Sequence, residues 1–108
     1  MSEDFMKTID EKVRSSRVVL FMKGTPDAPM CGFSNQVVQI LRMVKAEFSA
    51  VDIIGEPEYR QHVPRYSNWP TFPQLFIDGK LVGGCDIVTE MYEKGDLEPM
   101  IQGQSASS

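Results

Sequence analysis

The stretch VVLFMKGTPDAPMCGFSNQVVQILRMVKAEFSAVDII, residues 18–54, decides the fold. It opens on Val18-Val19-Leu20-Phe21-Met22, a continuous apolar run of the kind a strand buried on both faces carries. Lys23 to Met30 holds Gly24, Pro26 and Pro29 and reads as a loop, long for a strand-to-helix link. Val37, Ile40, Leu41 and Val44 fall at i, i+3, i+4 and i+7, which predicts an amphipathic helix from about Ser34 to Lys45. Phe48 to Ile54 is rich in β-branched and aromatic residues and reads as a second strand. Strand, helix, strand in so short a span is a βαβ unit, so these strands should be parallel with a right-handed crossover.

Working outward, Met6, Ile9 and Val13 give an N-terminal helix an apolar stripe, with Ser2 able to cap it ahead of Glu3 and Asp4. Pro57 suits the first turn of a third helix, whose apolar face is Tyr59, Val63 and Tyr66. Pro64 should kink that helix or end its first part. Asn68 to Pro73 is irregular. Leu75-Phe76-Ile77, Asp78-Gly79 and Leu81-Val82 form a hairpin signal with a type I′ turn. After Gly83-Gly84, Ile87, Val88, Met91 and Tyr92 mark a helix that stops near Gly95, and a short helical segment follows from Leu97 to Ile101. The order αβαβαββα describes an α/β protein: a small, four-stranded mixed sheet flanked by helices. Residues 1–103 read as a single domain and 104–108 as a small, polar, mobile tail.

The chain has 108 residues, 42% apolar and 24% charged, which is ordinary globular usage. At this length folding buries roughly 65% of the unfolded chain's surface, enough for one core. No apolar stretch is long enough to span a membrane, and the acidic start lacks the pattern of a signal peptide. Eleven basic against fifteen acidic residues give a net charge of −4, which disfavours nucleic acid as a partner. Two cysteines, Cys31 and Cys85, are too few for a disulfide scaffold and suit a reducing compartment such as the cytoplasm. With one histidine, His62, they cannot fill a four-ligand metal site from one chain.

Cys31 lies where the loop enters the amphipathic helix, and unpaired N–H groups at a helix start favour thiolate over thiol. Ser34 stands where a redox dithiol would place its second cysteine, so no internal disulfide can form between these positions. Lys23 leaves a buried strand at the edge where ligands bind in open α/β sheets. Trp69-Pro70-Thr71-Phe72-Pro73 puts a proline at a strand start. A cis Phe72–Pro73 bond would free the Phe72 N–H and C=O to pair with an extended ligand. Gly83-Gly84-Cys85-Asp86 precedes a helix and offers an anion site. Asp86 either caps that helix or accepts from an ammonium group, and Cys85 can be a small buried residue. Arg60 on the third helix can hold a carboxylate. Together these describe a groove with a thiol at one end and carboxylate and ammonium sites at the other, suited to a small zwitterionic thiol peptide.

C-G-F-S at 31–34, K-G-x-P at 23–26, W-P-T-F-P at 69–73 and G-G-C-D at 83–86 make the sequence resemble the single-domain monothiol glutaredoxins of the C-G-F-S type, over about residues 3–103. The resemblance implies the thioredoxin fold and glutathione as ligand. It implies Lys23, Arg60, Phe72, Cys85 and Asp86 as glutathione contacts, with Phe72 acting through its backbone beside cis Pro73. Thr71 and Gly84 would line the same groove, and Cys31 would be a cluster ligand. The implied role is to bind a [2Fe-2S] cluster across a homodimer and pass it to apo iron-sulfur acceptor proteins in cluster assembly and iron homeostasis, with BolA-like proteins as further partners. Four ligands then come from two Cys31 thiolates and two glutathiones. The long loop 24–30 is the family's mark of the cluster-binding class. The alternative is a glutathione-dependent thiol-disulfide oxidoreductase with Cys31 as nucleophile, an activity the resemblance implies is weak or absent.

Overall fold

The computed structural model describes residues 2–103, with side chains from Asp4 onward. The 104–108 tail lies outside the described residues, as does the Ser2 side chain on which the expected cap depends. Helix α1 spans Ser2–Arg14, β1 Val18–Met22, β2 Gly24–Thr25, β3 Ala28–Pro29, α2 Gly32–Met43 and β4 Ser49–Asp52. Then follow α3 Pro57–Ser67, β5 Gln74–Ile77, β6 Lys80–Gly83, α4 Cys85–Lys94 and α5 Leu97–Ile101.

The main sheet has four strands in the order β4-β1-β5-β6. β1 pairs parallel with β4, Val19 opposite Ser49, as the βαβ reading required. It pairs antiparallel with β5, and β5 with β6, so the sheet is mixed. All of β1 is buried because both of its faces are covered. Val18, Leu20 and Met22 point into a core shared with Val37, Leu41, Val88 and Leu97 of α2, α4 and α5. Val19 and Phe21 point the other way, among Ile9, Val13 and Val63 of α1 and α3. This is the period-two alternation of a central strand. Asp78 and Gly79 both have positive φ, 54° and 80°, the signature of the type I′ turn.

Three expectations need correction. The 23–30 segment is not a plain loop: β2 and β3 form a two-stranded antiparallel ribbon, closed by the Ala28 N–H on Thr25 Oγ1 at 3.2 Å. The ribbon turns on Gly24, at φ 88°, where a Cβ would lie 2.5 Å from Ala28 O. Only glycine fits such a position. Helix α2 starts at Gly32, earlier than about Ser34, because Cys31 is already its N-cap, and it ends at Met43. Pro64 does not end α3, which continues to Ser67. Val63 is fully buried and the Tyr66 ring packs 6.1 Å from Phe76, so packing on both sides of Pro64 holds the helical path.

Candidate functional site

The C-terminal end of β1, the starts of α2 and α4, and the segment before β5 converge on one cleft of about 690 Å³. Lys23, Cys31, Arg60, Thr71, Phe72, Pro73, Gly84, Cys85 and Asp86 all line it. Residues remote in sequence thus meet because a parallel pair carries its ligand edge at the carboxyl ends of the strands.

Cys31 caps α2 in extended conformation, φ −157° and ψ 135°. Its side chain closes no cap hydrogen bond. The Ser34 N–H nonetheless holds the thiol below its ordinary pKa against the opposing effect of burial, helped by the Phe33 N–H, the Lys23 charge and the Ser34 hydroxyl. Ser34 is fully buried, and its Oγ accepts the Lys23 N–H at 3.1 Å. The position that lacks a second thiol therefore ties the start of α2 to the end of β1. Truncating that hydroxyl would orphan the Lys23 N–H at a cost of about 1–3 kcal/mol.

Lys23 is half-buried, and its carbonyl accepts the Met30 N–H at 2.9 Å, closing the base of the ribbon. Next to it, the Gly24 N–H donates to Asp52 Oδ1 at 2.9 Å. The same oxygen accepts the Ile54 N–H at 2.9 Å. Burial works to raise the Asp52 pKa, but the N–H groups of Ile54, Gly55 and Gly24 outweigh it and the carboxyl stays below its ordinary value.

The opposite wall is the 69–73 segment. The Phe72–Pro73 bond is cis. Buried Gln74 braces the segment, its Nε2 donating to Trp69 O at 2.8 Å and Thr71 O at 3.1 Å. Trp69 Nε1 is buried without a partner, as is Gln74 Oε1. The bare Gly84 backbone lets the wall close on it: a Cβ there would lie 3.2 Å from Pro73 O and 3.3 Å from Trp69 Nε1.

Cys85 opens α4 and is buried. Burial pushes its thiol pKa up; the Thr89 hydroxyl, 3.9 Å from Sγ, opposes this, while the charges of Asp86 and Cys31 add to the rise. Asp86 does not cap α4. Gly84 is the N-cap, with no side-chain cap bond, and Asp86 is exposed within the first turn. Its carboxylate is left free to face the cleft.

Phe33, Pro64, Trp69, Pro70 and Ile87 also line the cleft. The W-P dipeptide and the Phe33 of the C-G-F-S run were visible signals for three of them. Pro64 and Ile87 read only as helix residues. Asp52 was missed altogether, for it is a lone acid at a strand end.

Among the described residues no group of three or more His, Cys, Asp or Glu side chains could hold a metal ion, and no helix is long and apolar enough to cross a membrane. The glutaredoxin family model matches residues 18–82. The chain is 52% identical to "Probable monothiol glutaredoxin 2" of Rickettsia felis over 95 residues, 88% of this chain and 91% of that one. It is 48% identical to "Glutaredoxin 4" of Escherichia coli over 101 residues, 94% of this chain and 88% of that one. The solution structure of reduced poplar apo GrxS14 superposes with a TM-score of 0.80 at 50% identity, covering 95% of this chain and 94% of that one. The holo form of glutaredoxin C1 from Populus tremula x tremuloides gives 0.85 at 29% identity, covering 99% and 95%. With a single thiol at the start of α2, a thioredoxin-type sheet and these relatives, the chain belongs to the glutaredoxin family, on its monothiol branch.

Proposed function

We propose that the chain carries a [2Fe-2S] cluster across a homodimer and passes it to apo iron-sulfur acceptor proteins. Each protomer gives one Cys31 thiolate, and a glutathione lying in each cleft gives the other sulfur ligand. The carrying observation is the asymmetry of the cleft's two thiols: Cys31 is partly exposed and acidified, whereas Cys85 is buried and held protonated. One chain thus supplies one good sulfur donor, and the rest must come from outside it.

The glutathione reading assigns each charged group a partner. Lys23 and Arg60 face its carboxylates and Asp86 its ammonium. The Phe72 backbone pairs with the extended peptide as an added strand would, flanked by Thr71, Pro73, Gly84 and Cys85. Ligands held without a covalent bond make the cluster easy to release, as a carrier needs. BolA-like proteins are further partners in this reading, which places the protein in a reducing compartment such as the cytoplasm.

Anaerobic reconstitution with iron, sulfide and glutathione tests the proposal. The expected result is visible cluster absorption and dimer mass, both lost when glutathione is withheld. A colourless monomer in the presence of glutathione overturns it.

The acidified Cys31 also favours a second reading, reduction of glutathione mixed disulfides. Here the Cys31 thiolate attacks the glutathione sulfur, forming a Cys31–glutathione disulfide and releasing the protein thiolate. A second glutathione thiolate then attacks that glutathione sulfur, giving glutathione disulfide and restoring Cys31. Turnover on a glutathionylated peptide at the rate of a dithiol glutaredoxin would favour this reading over the carrier.

A further inference from the structure

We propose that Asp52 is a positioning residue for the cleft: its carboxylate fixes the Lys23–Gly24 backbone from beneath and so sets where the Lys23 ammonium stands relative to Cys31. Asp52 lies at the end of β4, on the strand beside β1, and does not line the cleft. It reaches the cleft through the chain. One oxygen, Oδ1, receives the N–H of Gly24 and of Ile54, both at 2.9 Å. The Ile54 bond is an Asx-type turn that locks the carboxylate's own orientation. The Asp52 carbonyl accepts the Glu56 N–H at 2.9 Å, so the turn is closed from both ends.

What this oxygen holds is a junction. Within two residues, the chain gives the Lys23 N–H to Ser34 Oγ, the Lys23 C=O to the Met30 N–H, and the Gly24 N–H to Asp52. Two of these anchors belong to the segment leading into and starting α2. Asp52 is the one from the sheet's edge. Gly24 cannot supply a substitute: at φ 88° a Cβ would lie 2.5 Å from Ala28 O and 2.7 Å from Met30 N, so no side chain can stand there to brace it. Loss of the carboxylate leaves the Gly24 N–H unpaired and removes its anchor to β4, so Lys23 is held from the α2 side alone and its ammonium shifts. A positively charged group displaced by an ångström loses much of its grip on a bound anion.

Removing the negative charge of Asp52 by itself favours an anion in the cleft, because it takes away a repulsion. Displacing Lys23 disfavours it. The two effects have opposite sign, which makes the positioning role testable. The glutathione part of the test rests on the proposed function, and the backbone part, exchange of the Gly24 amide hydrogen, does not.

In Asp52→Ala, glutathione affinity measured by calorimetry should fall on the order of tenfold, and the Gly24 amide hydrogen should exchange with solvent faster than in wild type. Asp52→Asn keeps an acceptor oxygen and sheds the charge, so its affinity should be no lower than wild type and its Gly24 amide protected again. In a Lys23→Met background, Asp52→Ala should lower affinity no further, because it acts through Lys23. A folded Asp52→Ala protein with wild-type or higher affinity overturns the proposal, as does a further tenfold loss in the Lys23→Met background. Should the alanine variant not fold, Asp52→Glu, which displaces the carboxylate by a methylene, is read by the same outcomes. If wild type itself binds no glutathione, the proposed function fails, while an unchanged Gly24 amide exchange in Asp52→Ala still overturns the role of Asp52.

Discussion

The starts of α2 and α4 both face the cleft and both carry a cysteine, yet they treat it in opposite ways. At α2 the cysteine is the cap, half-exposed, with the Ser34 and Phe33 N–H groups and the Lys23 charge lowering its pKa. At α4 the cap is Gly84, and Cys85 is the first helical residue, buried, beside the Asp86 charge, with its pKa raised. A helix start is not in itself a thiolate site. One residue of offset moves the sulfur from in front of the free N–H groups into the wall, and the neighbouring charge sets the rest.

The largest test of this contrast is deletion. Cys31→Ser should abolish cluster absorption and cluster-dependent dimer entirely, whereas Cys85→Ser should retain both; equal loss in the two variants breaks the distinction. Next comes reactivity. At neutral pH Cys31 should alkylate at least about tenfold faster than Cys85, read by mass spectrometry of partly labelled protein. Equal labelling would mean that exposure and charge do not separate the thiols.

A smaller effect sharpens the cause. Lys23→Met should slow Cys31 alkylation at neutral pH on the order of threefold, leaving Cys85 unchanged. The smallest is in stability against pH. The folded state depresses the Cys31 pKa, so its contribution is absent at low pH and complete above the ordinary thiol value. The folded state raises the Cys85 pKa, so its contribution is present below the ordinary value and lost as pH rises. Denaturant midpoints from neutral to alkaline pH should therefore show the advantage of wild type over Cys31→Ser growing and that over Cys85→Ser shrinking. Parallel trends would show that the two thiols share one environment.

The parts of the molecule with strong periodicity were legible in the sequence. Val18 to Met22 and the 37, 40, 41, 44 stripe fixed the βαβ unit because burial repeats along them. Two-residue strands such as β2 and β3 carry no period, so the ribbon was invisible, and propensity alone left an end at Pro64 open, whereas packing around it carries the helix on to Ser67. The candidate residues were readable where an unusual residue type recurs with a chemical reason, as at Cys31 and Gly84. That they meet in one cleft follows from strand order. Asp52 left no mark because its role lies in a hydrogen bond to a backbone N–H far away in the chain, and no local pattern encodes that.

Trp69 is the protein's single tryptophan, and its indole N–H lies buried in the cleft wall with no partner. An indole's emission responds to the polarity around its ring, to hydrogen bonding at its nitrogen and to nearby thiols. The molecule therefore contains its own optical gauge, set into the one wall where a guest would rest. No second indole dilutes the signal. Occupancy of the cleft can be followed on the unlabelled protein by its glow alone, while a partner that docks on the far face of the sheet leaves the gauge unmoved.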